Sequence, residues 1–99
     1  MDKLLYVMMM ERGKSFNKIN KAMVEKHVDH LRKLDEMGKL ELCGPLDGLP
    51  GVVGMVVLKA ESFQEADELC KQEPFVMEGF VEYKLSTLKV ADQENNFLI

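Results

Sequence analysis

Lys26-His27-Val28-Asp29-His30-Leu31-Arg32-Lys33-Leu34 contains both histidines of the chain, and the side of a helix on which they fall decides how the rest is read. The run from Asn17 to Met37 has no proline or glycine, and Gly38 closes it. At about 100° per residue, Ile19, Met23, Val24, Leu31, Leu34 and Met37 fall in one half of the helical wheel. Lys21, Glu25, Lys26, Asp29, Arg32, Lys33 and Glu36 fill the other half. His27 lands near the middle of the apolar half and His30 within it. A helix that buries this stripe carries both imidazoles inward. Each then needs a hydrogen-bond partner, because an unpaired buried polar group costs roughly 1–3 kcal/mol.

Strands flank this helix. Lys3 to Met10 is apolar at nearly every position and predicts a strand covered on both faces. Gly38 suits the left-handed position after a helix. Leu40 to Cys43 alternates and predicts a second strand. Gly44-Pro45-Leu46-Asp47-Gly48-Leu49-Pro50-Gly51 is a turn, and Val52 to Ala60 is a third strand. Ser62-Phe63-Gln64-Glu65 has the form of a capping box and starts a helix that should run to about Gln72. Pro74 biases Glu73 away from helical angles, which ends it. Phe75 to Gly79 reads as a short connection, and Phe80 to Val90 as a final strand. The order β-α-β-β-α-β predicts an α+β, ferredoxin-like domain: a four-stranded antiparallel sheet with two helices on one face. The first and third strands look apolar on both faces. A second copy of the chain packed on the open face, in a symmetric dimer, is the simplest cover.

The chain has 99 residues, 46% hydrophobic and 30% charged, with a net charge of −4, and reads as one globular domain. The charges are interspersed and no basic block occurs, which argues against nucleic acid as a partner. No apolar run approaches the roughly 18 residues of a membrane span. Met1 to Met10 is too short an apolar stretch for a secretory signal. Cys43 and Cys70 have no metal-ligand spacing and are expected to be reduced thiols in a cytoplasmic protein. His27 and His30, three residues apart and without a third ligand, do not make a zinc site, so no metal is predicted.

His27-Val28-Asp29-His30-Leu31-Arg32-Lys33-Leu34, then Gly38, then Cys43-Gly44-Pro45, resembles the YciI-like (YCII-related domain) family. Glu73-Pro74-Phe75-Val76 with Gly79 following resembles it too. The resemblance covers nearly the whole chain. It implies a ferredoxin-like fold of the dimeric α+β barrel superfamily over residues 1–91, with 92–99 as a C-terminal tail. It also implies a histidine–aspartate pair, whose histidine matches His27. The family aspartate, just before a proline after the second helix, corresponds to Glu73, which keeps the carboxylate and adds a methylene. Members often place an arginine one turn before the histidine, where this chain has Val24. One type of member removes chloride from a chlorinated hydroxyquinol.

An imidazole titrates near neutrality, so His27 can take and give a proton, and a carboxylate on its far nitrogen would orient it. The other reading of His27 is a core histidine bonded to a backbone carbonyl. Glu73, just past the second helix, is expected at an electronegative helix end. The residues expected near a ligand are Tyr6, His30, Cys43, Gly44, Pro45 and Phe75, with His27 and Glu73 as the catalytic pair. His30 is better explained as a packing residue or a donor to a neighbouring group, and Gly44-Pro45 as an ordinary strand-ending turn. Two functions follow. One is a small-molecule enzyme of the lyase or isomerase kind, acting on a small cyclic or aromatic ligand. The alternative is a non-catalytic ligand-binding or assembly module. Haem binding is inherited only from relatives of the fold, and no cofactor is predicted.

Overall fold

The computed structural model describes residues 3–98; Ile99, the last residue of the apolar ending, lies outside them. The strands are β1 (Leu4–Arg12), β2 (Leu40–Pro45), β3 (Val52–Leu58) and β4 (Val81–Lys89). The helices are α1 (Lys21–Glu36), α2 (Phe63–Lys71) and a short α3 (Pro74–Met77). One antiparallel sheet has the order β2-β3-β1-β4, the ferredoxin-like arrangement that the element order predicts. No helix among the described residues is long and apolar enough to cross a membrane.

The central strand β1 organises the core. Met8 lies opposite Val56 on one side and Leu85 on the other. Tyr6, Met8 and Met10 alternate along β1 and are buried together with Val56, Leu58 and Val81 of the sheet. Leu34 of α1 and Ala66, Leu69 and Cys70 of α2 close over them. Burying a side chain such as Met8, 1% exposed, contributes roughly 1.5–3 kcal/mol. Leu5, Val7 and Met9 point the other way and are half-buried. Their cross-strand neighbours include Val57, Met55 and Leu88. Within the single chain, then, the apolar alternate positions of β1 have helices over one face only.

Local chemistry sets the helix ends, and it moves several boundaries. The first helix begins at Lys21 rather than Asn17. Ile19 is extended (φ −62°, ψ 130°), and Asn20 caps α1 by accepting from the Met23 amide at 3.0 Å. Phe16–Lys18 forms a separate single 3-10 turn. At the other end, the Gly38 amide donates to Asp35 and the Lys39 amide to Leu34, at 3.0 and 2.8 Å. That is a Schellman closure, and it places Gly38 at φ 72°. Ser62 accepts from the Glu65 amide at 3.0 Å as expected of a capping box. The return arm differs: Glu65 accepts from the Glu61 amide and from Lys39, tying the start of α2 to the sheet edge.

The segment after α2 is the largest departure. Phe75 to Met77 is not a plain connection but most of α3, with Pro74 at its first position and Glu73 as its N-cap. Gly13 fixes where this helix exits. A Cβ there would lie 2.7 Å from the Gly79 carbonyl oxygen and 2.8 Å from that of Phe80. Only glycine lets the end of β1 approach so closely, and its amide bonds to Phe80 at 2.9 Å.

Candidate functional site

His27 leaves the inner side of α1, and Glu73 leaves the junction between α2 and α3. Their side chains meet: Nδ1 of His27 is hydrogen-bonded to Oε1 of Glu73. The second oxygen, Oε2, accepts from the amides of Phe75 at 2.8 Å and Val76 at 3.2 Å. Glu73 is 1% exposed, so the carboxylate is taken fully out of water. Three donors replace that water, the His27 ring and the two amides at the start of α3. This reverses the electrostatic setting expected from α2 alone. The carboxylate sits at the positive start of α3 as well as beyond the negative end of α2.

Phe75, which begins just after the cap, stacks on the His27 ring with centroids 4.2 Å apart and planes 5° from parallel. Phe80 meets Phe75 edge-on at 6.2 Å. The imidazole is therefore fixed by a carboxylate at one nitrogen and a ring on its face. An ionised carboxylate only accepts, so Nδ1 carries a proton and, in the neutral ring, Nε2 is left as the base. Among the described residues Nε2 has no hydrogen-bond partner, and no buried side-chain polar atom lacks one. Nε2 is consequently accessible.

It is reached from a cavity of about 400 Å³ between the first half of α1 and the end of the sheet. Ile19, Val24, His27 and Leu31 line one wall, and Met10, Val53 and the β2 residues Cys43, Gly44 and Pro45 line the opposite one. Phe16 and Phe75 close the ends. Of the residues expected near a ligand, the structure brings Cys43, Gly44, Pro45 and Phe75 together with His27. It does not bring Tyr6 or His30 to this cavity. Tyr6 is 4% exposed in the core, edge-on to Phe63 of α2 at 6.3 Å. His30 is rotated toward α2, beside the Leu69 carbonyl. Burial holds its pKa below the ordinary histidine value, with the nearby His27 and Lys33 adding to this. Glu73 and the Leu69 carbonyl oppose the shift.

Sequence reasoning missed most of the apolar lining, Phe16, Val24 and Val53 among it. Val24 had a signal, since it stands one turn before His27 on the same helix face. Phe16 and Val53 had none, because they meet the cavity through tertiary packing. Two further polar groups lie elsewhere. The Tyr83 hydroxyl donates to Asp67 at 2.6 Å. Burial, then this bond, pushes the phenol up, while the bond holds the Asp67 carboxyl low. The Cys70 thiol is pushed up to about 12 by burial and by the nearby Asp67 and Glu73 carboxylates.

The model of the YCII-related domain matches residues 4–89, and the chain belongs to that family. No curated protein sequence matches. Among solved structures, the chain is similar to 5-chloro-2-hydroxyhydroquinone dehydrochlorinase from Burkholderia phenoliruptrix, in complex with 2,5-dihydroxybenzoquinone. The TM-score is 0.70 at 18% identity, covering 95% of this chain and all of that one. At this identity the likeness is one of fold.

Proposed function

We propose that this chain is a small-molecule enzyme of the lyase or isomerase type that acts on a small cyclic or aromatic ligand. Nε2 of His27 removes a proton from a carbon or hydroxyl of the ligand and later returns it or gives it to solvent. Glu73 holds the ring in the tautomer that leaves Nε2 unprotonated, and its charge stabilises the imidazolium formed. In an elimination the C–H electron pair becomes the new double bond, and the leaving group departs with its own pair. The observation that carries this reading is the accessible Nε2 over a cavity, on a ring whose other nitrogen is held by a buried carboxylate. The fold neighbour, a dehydrochlorinase of a chlorinated hydroxyhydroquinone, supports the ligand class.

Turnover of a panel of chlorinated hydroxyquinols and cyclic enols, followed by chloride release and absorbance, tests the reading. His27→Ala should abolish any turnover found, and because it leaves one oxygen of the buried Glu73 carboxylate without a partner it should also lower the thermal midpoint, so turnover is compared well below that midpoint. Turnover that survives in His27→Ala refutes it. A non-catalytic binding module is the competing reading, supported by the cap that Glu73 supplies to α3, which would be needed without any reaction.

The same proposal includes a homodimer through the open face of the sheet. Half-buried Leu5, Val7 and Met9 and exposed Leu42 and Leu88 support it. Light scattering should give twice the chain mass, and Val7→Lys should return it to one. We place the protein in the cytoplasm, where the free thiols of Cys43 and Cys70 stay reduced.

A further inference from the structure

The wall of the cavity is more selective than its shape. Apart from His27 and Cys43, its side chains are apolar, among them Met10, Ile19, Val24, Leu31, Val53 and Phe75. No Lys, Arg, Asp or Glu stands among the described residues that line it. Directly behind the His27 ring the charge is negative, the Glu73 carboxylate bonded to Nδ1. The guanidinium of Arg12 lies 4.5 Å from the centre of the Phe16 ring and does not line the cavity. An anion entering here would lose its water and meet no cation in the wall, and no side-chain donor beyond His27 and the weak Cys43 thiol.

Building on the proton-transfer reading of His27, we propose that the ligand is an uncharged aromatic or quinonoid ring. Its polar substituent lies on the edge that meets His27, and the lack of a cation in the wall, at Val24 by the mouth as elsewhere, sets this preference. Aromatic and thioether walls suit a ring face. The volume of about 400 Å³ exceeds the ~150 Å³ that accommodates benzene, so a substituted ring fits. Val24 is 42% exposed at the mouth of the cavity, one turn before His27. A longer side chain there extends across the mouth without displacing the core.

The test titrates 4-methylphenol and 4-hydroxybenzoate into the full chain and follows the His27 ring resonances by NMR. The two probes share a ring and a hydroxyl and differ by a methyl against a carboxylate ionised at pH 7. Saturable shifts of His27 with 4-methylphenol, and binding of 4-hydroxybenzoate at least about tenfold weaker, are expected. Val24→Arg should close or reverse that gap. Equal or tighter binding of 4-hydroxybenzoate to the wild type overturns the inference but leaves the site reading standing. So does a gap that Val24→Arg leaves intact. If Arg12→Gln abolishes a preference for the acid, the rim and not the wall selects the ligand, and the inference falls in the same way. If neither probe moves His27, the proposed site itself fails and takes this inference with it.

Discussion

Replacing Glu73 with glutamine separates what this residue does for the fold from what it does for the ring. Glu73→Ala removes the α3 cap, worth about 1 kcal/mol. It also strips a partner from His27, whose side chain is 17% exposed, at a cost of about 1 kcal/mol, and it empties part of a fully buried site, for about 1 more. The sum is about 3 kcal/mol, or roughly 12–24 °C in a domain of this size. Glu73→Gln keeps an oxygen for the amides of Phe75 and Val76, so the cap survives and the loss should be about 1 kcal/mol. Its NH₂ then faces Nδ1 of His27 and must be accepted there. The ring is forced to carry its proton on Nε2, turning the proposed base into a donor. Thermal unfolding measures the first effect. Long-range ¹H–¹⁵N correlation at pH 8.5 measures the second, with Nδ1–H expected in the wild type and Nε2–H in Glu73→Gln. Any turnover should fall by about 10² or more. A wild-type ring with its proton on Nε2, or an unchanged tautomer in Glu73→Gln, refutes the reasoning.

Three other outcomes follow from the same structure. His30 has a folded pKa below its unfolded value, so the unfolded chain binds more protons and stability falls as pH drops through about 6.5 toward the folded value. His30→Gln should flatten that part of the urea-midpoint curve between pH 7.5 and 5.5, and an unchanged slope counts against it. Because Cys70 is buried with its thiol pushed up to about 12 while Cys43 is exposed, Ellman's reagent should label one thiol rapidly in the native protein and the second only on unfolding. Gly38→Ala places a Cβ at φ 72° and should cost about 1 kcal/mol, seen as a lower thermal midpoint with the same unfolding cooperativity.

The parts of this molecule that are legible in the sequence are those fixed by local periodicity and capping. The wheel turned His27 inward, and Gly38, Ser62 and Pro74 marked helix ends that the backbone confirms within a residue or two. Depth is not a local property. Val24 and Met37 share the apolar half of the wheel with Leu34, yet they are 42% and 56% exposed, because Val24 borders the cavity and Met37 is the C-cap beyond the last turn of α1. Likewise Tyr6 and His30 are turned inward as their patterns require. They reach the core and the α2 side, which no spacing along the chain distinguishes from the cavity. The nature of α3 was written in Glu73-Pro74, a capping carboxylate followed by a residue that needs no amide partner, but it is only four residues long and has no periodicity of its own.

That short helix explains how one carboxylate serves two structural demands. The backbone leaves α2 through Gln72, and Glu73 is extended (φ −66°, ψ 125°), which turns the side chain back across the start of α3. One oxygen is then spent on the Phe75 and Val76 amides, and the other is held outward toward α1. Phe75, fixed by the same cap, lies flat on the ring that the second oxygen holds. Orientation of His27 about two axes thus comes from three consecutive residues, Glu73-Pro74-Phe75. A reaction at Nε2 would therefore draw its precision from a helix terminus that the fold already requires, and not from a separate set of residues.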